Sequence, residues 1–280
     1  MIIRLPEADF SANNVGKITV PRQISEFTIS AILAGGRTDL SDTQKSVLDA
    51  FFETIGVNEI GNTIASRLSY LFIPMLASDL SKALINYKNN NFVIEGTPNS
   101  TYWSVNHKGL VGLTSASAGA ITLSLSTPLL ANNCCLLFFR GEPMTEEIGN
   151  QHYLSIRGKQ TTSKWLTMYQ YIAAGNANFS TGGLPSQWIT GGYTETNKAT
   201  INGYNLKSTV AKKIIGGVVS NVTAPSVDMS TETSQTIYAF GMSSKNTTPT
   251  AFAMLGQGLT ESELSSVIAS LEQLRNVFIG

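Results

Sequence analysis

The sequence predicts a mainly antiparallel β-sandwich of the jelly-roll kind, preceded by an extended arm and a small helical region and closed by a C-terminal helix. One observation is that short apolar runs recur after residue 90 between Gly, Pro and Asn residues, without helical patterns among them. Another is that the residues after Thr260 have the spacing of an amphipathic helix. Many short strands at near-regular spacing are typical of a sandwich or jelly roll and not of a parallel sheet.

The apolar runs differ in how much of each strand they predict to be buried. Residues 121–127 alternate between apolar and polar, which predicts one buried and one wet face. Residues 134–139 are apolar throughout and predict a strand covered on both faces; its adjacent Cys134 and Cys135 are expected to be buried thiols without a disulfide, as in a reducing cytoplasm. The other predicted strands are residues 153–156, 165–172, 199–206, 214–219, 237–240 and 251–255.

Turn and cap signals set the ends of the last elements. The Asn202-Gly203 pair between apolar residues predicts a hairpin turn, and Gly216-Gly217 a further turn. The strand at 237–240 is expected to pair with the one at 251–255. Thr260 and Glu263 form a capping box that opens the final helix, whose apolar stripe comprises Leu264, Val267, Ile268, Leu271, Leu274, Val277 and Phe278.

The first ninety residues predict a different kind of structure. Residues 27–32 alternate as a strand does and end at Gly35-Gly36, whereas Ser41 and Gln44 form a capping box for a helix that ends at Gly56. Residues 60–74 fit a helix or a strand, and residues 75–87 a further helix. The Asn-rich residues 88–91 mark a boundary, so we expect a docking and oligomerisation region at 1–90 and the sandwich at 91–280.

Residues 1–20 predict an extended arm with one or two short strands. Such an arm pairs at the edge of its own sheet or reaches onto a neighbour. The candidate assembly residues are its apolar side chains, namely Ile2, Ile3, Leu5, Phe10, Val15 and Ile18.

Composition restricts the partners of this chain of 280 residues. Lys+Arg and Asp+Glu both number 19, giving a formal net charge of zero and no basic stripe for nucleic acid. Charged residues make up 14%, against about 25% in an average soluble domain. A weakly charged surface suits a chain packed against neighbours, although an ordinary sandwich rich in Ser and Thr fits the composition equally well. No segment has the apolar length of a membrane helix or the pattern of a secretory signal.

Catalytic and metal-binding patterns are missing from the sequence. Its two histidines, His107 and His152, are separated by a strand-rich stretch, and neither CxxC pairs, HExxH, an Asp-rich calcium loop nor GxSxG occurs. Glu146 and Glu147 follow Pro143 in a predicted loop, and adjacent residues on a strand would point apart, so this pair does not match the two facing carboxylates of a glycosidase. The sequence therefore predicts no enzyme, no cofactor and no metal site.

Aromatic residues offer candidates for sugar binding. Trp188 lies beside Pro185 and a glycine pair in GLPSQWITGGY, which places it near a loop, and Tyr193 follows at once. Trp165 is a third candidate, but a sandwich also needs core aromatics and Trp165 in WLTMYQYI is expected to be one. Amphipathic aromatic rings are typical of such binding surfaces.

Two motifs carry a resemblance over roughly residues 91–280. A strand ending in glycine, followed by an apolar strand and then GQGLTESE opening the final helix, resembles the end of concanavalin A-like (laminin G-like) jelly-roll domains. The segment TINGY around Asn202 resembles a turn of the same domains. The resemblance implies a lectin-like sandwich, a fold that hosts both binding modules and glycan-active enzymes.

A broader resemblance extends over the whole chain. The opening ADFSANNVGKI, the capped helix and LFIPMLASDLSKALINYKNNN before a lectin-like sandwich resemble virion proteins of crAss-like tailed bacteriophages. This resemblance implies a structural virion protein, in the tail or its fibres, with other virion proteins and copies of itself as partners, assembled in the cytoplasm of a host bacterium. The alternative is a carbohydrate-binding module that recognises host surface glycans.

Overall fold

The computed structural model describes most of the chain. Residues 23–57, 59–113, 121–125, 129, 133–142, 201–207, 210–222 and 249–280 are described in full, and residues 151–158, 165–170, 178–182, 187–190 and 235–239 by their backbone. The predicted arm, with Ile2, Ile3, Leu5, Phe10, Val15 and Ile18, lies outside the described residues.

The described α-helices are α1 (Glu26–Gly35), α2 (Asp42–Ile55), α3 (Ile64–Arg67) and α4 (Glu261–Phe278). Both predicted capping boxes are confirmed. The Ser41 hydroxyl accepts from the Gln44 N–H while the Gln44 side chain accepts from the Ser41 N–H, and Thr260 and Glu263 make the same exchange at α4. Gly56 ends α2 in the left-handed conformation, as predicted.

The described strands form two antiparallel sheets. The larger sheet contains β1 (Leu68–Phe72), β2 (Ile85–Asn86), β3 (Val93–Ile94), β4 (Trp103–Asn106), β5 (Gly109–Gly112), β7 (Asn133–Arg140), β12 (Ile201–Lys207), β13 (Val210–Ile215), β14 (Val218–Val222) and β16 (Thr250–Gly256). The smaller sheet contains β6 (Ile121–Leu125), β8 (Gln151–Gly158), β9 (Trp165–Gln170), β10 (Asn178–Gly182), β11 (Gln187–Thr190) and β15 (Gln235–Ala239).

Strand order places the central strands of each sheet. The larger sheet runs β14-β13-β12-β7-β16-β1-β2-β3, with β5 joining β16 and β4 joining β5. The smaller sheet runs β11-β10-β9-β8-β15-β6. This arrangement confirms the predicted fold class, a mainly antiparallel β-sandwich with small helices before it and a helix at its end.

The larger sheet is covered on both faces, so the described molecule has three layers. In β7, Cys135 and Leu137 belong to a core shared with α1, α2 and α4, whereas Cys134 and Leu136 belong to a second core shared with β6. A strand buried on both sides needs apolar residues at every position. This explains the unbroken apolar run at 134–139, as predicted, and both thiols are buried and free.

The predicted strand at 27–32 is wrong, because these residues lie in helix α1. The Ser25 hydroxyl accepts from the Thr28 N–H, and the chain ends the helix at Gly36 with a φ of 82°. Side chains on both sides of α1 are apolar, which produced the misleading pattern.

The predicted helix at 75–87 is also wrong. Two 3₁₀ turns, Pro74–Leu76 and Leu80–Lys82, are followed by β2. Asp79 accepts from the Ser81 N–H at 3.0 Å, and Asn86 Oδ1 accepts from the Leu71 N–H at 3.0 Å. These local and cross-strand hydrogen bonds replace those of a helix.

Three further predictions about turns and pairing are corrected by the sheets. Asn202 and Gly203 lie inside β12 and form no turn. Gly216-Gly217 do form a turn, with φ values of 61° and 79°, so the strand expected at 214–219 is divided between β13 and β14.

The expected pairing of β15 with β16 does not occur in the described sheets. Strand β15 pairs with β6 and β8, and strand β16 pairs with β1, β5 and β7. The division of the chain near residue 90 stays a prediction; β1, which precedes it, pairs with β16.

Candidate functional site

The register of the smaller sheet places Trp165 and Trp188 on one face. Directly opposed residues of antiparallel strands share a face, and so do residues two apart along a strand. Trp188 is opposite Ser180, Trp165 is opposite Gly182, and Ser180 and Gly182 are two apart in β10. We call this side of the sheet, which includes the exposed Thr122 and Ser124 of β6, the outward face.

Two cross-strand rows make up the centre of the outward face. The first row is Trp188, Ser180, Thr167, Ser155, Tyr238 and Thr122, each opposite the next on the neighbouring strand. The second row is Gly182, Trp165, Arg157, Thr236 and Ser124. The two tryptophan positions lie about 10 Å apart across the strands and about 7 Å along them.

The cross-strand rows that alternate with these two consist mainly of apolar residues. They include Ile189, Phe179, Met168 and Leu154 in one row, and Leu166, Ile156, Ile237 and Leu123 in another. In β6, where burial is described, Ile121, Leu123 and Leu125 are buried in the core below the larger sheet. By strand register, the apolar rows are on the same face as the buried residues of β6, and the positions of the two central rows on the other face are hydroxyl, aromatic, arginine and glycine residues.

The predicted sugar-binding residues are thus placed in part. By strand register Trp188 and Trp165 are on the same face of the sheet, and both the sugar-binding role of these residues and the core position expected for Trp165 stay predictions. Tyr193 lies outside the described residues. Sequence reasoning missed Arg157 and Tyr238, because only the strand register brings them to the same face. Alternation of polar and apolar residues in β8 and β15 was the available signal.

A second candidate surface lies on helix α1. Phe27, Ala31 and Ile32 are buried, yet Ile29 and Leu33 on the other side are 48% and 64% exposed. Beside this helix is a cleft of about 370 Å³, lined by Glu26, Phe27, Ser30, Asn90 and Phe92. Sequence reasoning missed this surface because the segment was expected to be a strand.

Two aromatic rings contact each other in the wall of the cleft. Phe92 has a φ of 44°, which is uncommon for a residue with a side chain, and its ring lies 5.3 Å from that of Phe27. At the other side of α1, Asp49 accepts hydrogen bonds from the Ser25 N–H at 3.0 Å and the Thr28 hydroxyl at 2.8 Å. Asp49 therefore fixes the start of α1 against α2.

The ends of the larger sheet also expose apolar side chains. Val93 and Ile94 of β3 are 50% and 52% exposed, and Val218 of β14 is 69% exposed. Within the described part of the chain, no strand pairs with the outer side of β3 or β14. An open edge of this kind presents backbone hydrogen-bonding groups to an added strand.

Several charged groups elsewhere in the described chain have partners within it. The hydrogen bond from Arg37 holds the pKa of Asp39 below its usual value, and that from Ser81 lowers the pKa of Asp79 to about 2. Arg67 pairs with Glu263 at the start of α4. Among the residues whose placement is described, no group of His, Cys, Asp and Glu could hold a metal ion, and no helix is long and apolar enough to cross a membrane.

Comparison with known proteins identifies no family. No protein-family model matches this chain, and neither does any curated protein. Domain 4 of the extracellular arabinanase AbnA from Geobacillus stearothermophilus, solved with arabinotriose, is similar at a TM-score of 0.48 and 16% identity, over 72% of this chain and 98% of that one.

Two further solved structures are similar over shorter stretches. Tailspike protein 2 of the Escherichia coli O157:H7 bacteriophage CAB120 matches 59% of this chain and 25% of that chain, with a TM-score of 0.40 and 14% identity. The CBM40 domain of Ruminococcus gnavus IT-sialidase, bound to alpha2,6 sialyllactose, matches 50% of this chain and 84% of that chain. Its TM-score is 0.34 and its identity 11%.

Proposed function

We propose that this chain is a structural component of a bacteriophage virion of the crAss-like kind, associated with the tail or its fibres. It acts by assembling with copies of itself and with other virion proteins, and it binds without catalysing a reaction. The observation that carries this proposal is the apolar outer surface of α1.

The α1 surface supports assembly because a helix that is apolar on both sides is normally covered on both sides. Ile29 and Leu33 are four residues apart, so they lie together on one side of the helix. We propose a second copy of this chain as the occupant. The formal net charge of zero and the 14% of charged residues allow two copies to approach without net repulsion.

The open edges of the larger sheet support the same role. Exposed valine and isoleucine side chains at β3 and β14 are the kind of apolar surface that marks contacts with other proteins. The predicted arm at residues 1–20 would supply an extended partner for such an edge. The sequence resemblance to phage virion proteins supplies the virion as the place of assembly.

Light scattering of the purified protein tests the α1 surface. We expect the wild type to form a defined oligomer and the double variant Ile29→Ser, Leu33→Ser to be monomeric, because two apolar contacts are removed from the interface. Ile60→Ser is the matched control, since Ile60 is fully exposed at 105% but lies in the loop after α2. Unchanged mass in the double variant would contradict the proposed interface.

Glycan binding is a second candidate function, favoured by the outward face of the smaller sheet. Ligand sites combine aromatic side chains with a few polar groups that fix orientation. The outward face has this composition at Trp165, Trp188 and Tyr238 and at the serines and threonines between them. A sheet surface of this width suits an extended oligosaccharide.

A glycan array tests this second function with three proteins. We expect the wild type to bind a subset of bacterial surface glycans and Trp188→Ala to lose about tenfold in affinity, which corresponds to about 1.4 kcal/mol. Val218→Ala, at the edge of the larger sheet, should bind as the wild type does. Equal binding by Trp188→Ala would exclude the outward face, and shortened polysaccharide after incubation would indicate an enzyme instead.

A further inference from the structure

We infer that the arm of a second copy, residues 1–20, docks beside helix α1 as a strand added to the edge of β3, with one of its apolar side chains in the cleft. This inference rests on the self-assembly proposed above, and it names the segment of the second copy and the site that receives it. It depends on the exposed side chains of β3 and α1, on the cleft between them and on where the arm joins the described chain.

In β3 the side chains on both faces of the sheet are half exposed. Val93 and Ile94 are consecutive, so they point to opposite faces. The Glu95 N–H donates to the Leu84 carbonyl at 3.1 Å, so the backbone groups of Ile94 point away from β2. A body docked on one face would cover one of these side chains, whereas a strand added along the edge covers both and meets the backbone of Ile94.

The cleft lies beside the path of such a strand. Two of its lining residues, Asn90 and Phe92, come just before β3, and the others, Glu26, Phe27 and Ser30, belong to α1. Its volume of about 370 Å³ is at the small end of the range for ligand pockets, about 300–1,000 Å³, and suits a side chain better than a folded domain. Peptides that add a strand to a sheet edge gain specificity from pockets for their alternate side chains.

Two exposed side chains of α1 extend this surface. Ile29 is three residues from Glu26, and Leu33 is three residues from Ser30, so each is a neighbour of a cleft residue on the surface of the helix. Both side chains are exposed. An arm that leaves the cleft along α1 would cover them, which joins the α1 surface and the edge of β3 in one interface.

The arm has the length and the composition of this partner. In extended form it spans about 66 Å, at about 3.3 Å per residue, which is enough to reach a neighbouring copy. Its apolar residues, from Ile2 to Ile18, supply candidates for the cleft. The cleft and the exposed side chains are those of the single chain, so the segment that covers them is assigned to a second copy. Since each copy gives one arm and receives one, the exchange closes an oligomer.

Cross-linking between full-length copies tests the inference. One protein carries a cysteine in the arm, the other carries Asn90→Cys at the cleft, and a short bismaleimide reagent joins thiols that lie close together. The native Cys134 and Cys135 are buried and do not compete. We expect a cross-linked dimer of the two proteins, and only background when Ile60→Cys, in the loop after α2, replaces Asn90→Cys. The arm cysteines are placed one at a time at Leu5, Phe10 and Val15.

Filling the cleft tests the same site without a cross-link. Ser30→Phe adds a large side chain from the exposed side of α1, so we expect the oligomer to dissociate at a concentration at least tenfold higher than the wild type does. Ser30→Ala keeps the cleft open and should assemble as the wild type does. Ile94→Lys should also weaken assembly, because a lysine on an edge strand opposes the addition of another strand. Sedimentation velocity measures the three variants, and circular dichroism checks that each is folded.

The outcomes separate this inference from the self-assembly on which it rests. An oligomer that forms without a preferred cross-link at Asn90→Cys, or that is equally stable in Ser30→Phe, would overturn the docking site and leave self-assembly standing. A cross-link that forms mainly within single chains carrying both cysteines would overturn the assignment to a second copy. A wild-type protein that stays monomeric would overturn self-assembly, and this inference with it.

Discussion

Asn205 joins two distant parts of the chain through a buried amide. Its Nδ2 donates to the Leu259 carbonyl at 2.8 Å, and its Oδ1 accepts from the Leu259 N–H at 2.7 Å. Both residues are buried, so these bonds satisfy backbone groups that water cannot reach. The bonds fix the segment before α4 against β12.

We expect Asn205→Ala to lower the free energy of unfolding by about 2–4 kcal/mol, because the Leu259 N–H and carbonyl remain buried without partners. Urea denaturation followed by circular dichroism measures the loss. Asn221→Ala, an exposed asparagine in β14, is the control and should cost less than about 0.5 kcal/mol. Equal losses in the two variants would show that the Asn205 bonds add little.

Tyr70 makes stability depend on pH in the alkaline range. Burial, together with the nearby Glu95 carboxylate, raises the pKa of its hydroxyl to about 12 from about 10. The hydroxyl donates to the Ser124 carbonyl at 2.9 Å, which links the larger sheet to β6. Below pH 10 both states keep the proton; between pH 10 and 12 the unfolded chain releases it first, so stability falls as the pH rises.

At pH 8 we expect the free energy of unfolding of Tyr70→Phe to be about 1 kcal/mol below that of the wild type, because the hydrogen bond to Ser124 is missing. Between pH 10 and 11 the free energy of unfolding should fall less in the variant than in the wild type. Urea denaturation at pH 8, 10 and 11 measures how the free energy of unfolding of each protein changes with pH. Parallel slopes for the two proteins would show that Tyr70 does not carry this pH dependence.

Helix α4 begins at the N-terminal cap that the sequence predicts. The Thr260 hydroxyl accepts from the Glu263 N–H at 3.3 Å, and Glu263 Oε2 accepts from the Thr260 N–H at 2.8 Å. Its buried residues Leu264, Val267 and Leu271 then pack onto the larger sheet. The cap therefore sets the register of the helix over the core.

We expect Thr260→Ala to lower the free energy of unfolding by about 1 kcal/mol, the usual cost of an N-terminal cap. Thermal unfolding would show a lower midpoint. Ser266→Ala, on the exposed side of α4, has no capping role and should leave the midpoint almost unchanged. A midpoint for Thr260→Ala equal to that of the control would contradict this account.

Elements set by neighbouring residues could be predicted, and those set by distant contacts could not. The caps at Ser41 and Thr260 depend on residues three positions apart, so their pattern is visible in the sequence. The hairpin turn predicted at Gly203 was wrong, because this glycine is required by the contact between two strands and not by a local turn. A Cβ at Gly203 would lie 2.0 Å from the Leu136 carbonyl oxygen, so glycine there permits the close approach of β12 and β7. A turn and a close strand contact use the same residue type.

At the scale of the whole molecule, the fold class could be predicted but the distribution of strands between sheets could not. The apolar run at 134–139 indicated a strand covered on both faces, yet nothing in the sequence identified α1, α2 and α4 as one cover and β6 as part of the other. The same limit applies to the candidate site. Trp188 and Trp165 were found as residue types, but their common face with Arg157 depends on pairings along four strands.

Assembly with copies of itself is the central claim about this protein, and sedimentation velocity tests it most directly. The full chain and a chain without residues 1–20 would be compared over a range of concentrations; every described helix and strand lies outside the deleted segment. We predict that the full chain sediments as one closed oligomer and the shortened chain as a monomer. Monomers in both samples at every concentration would contradict the claim.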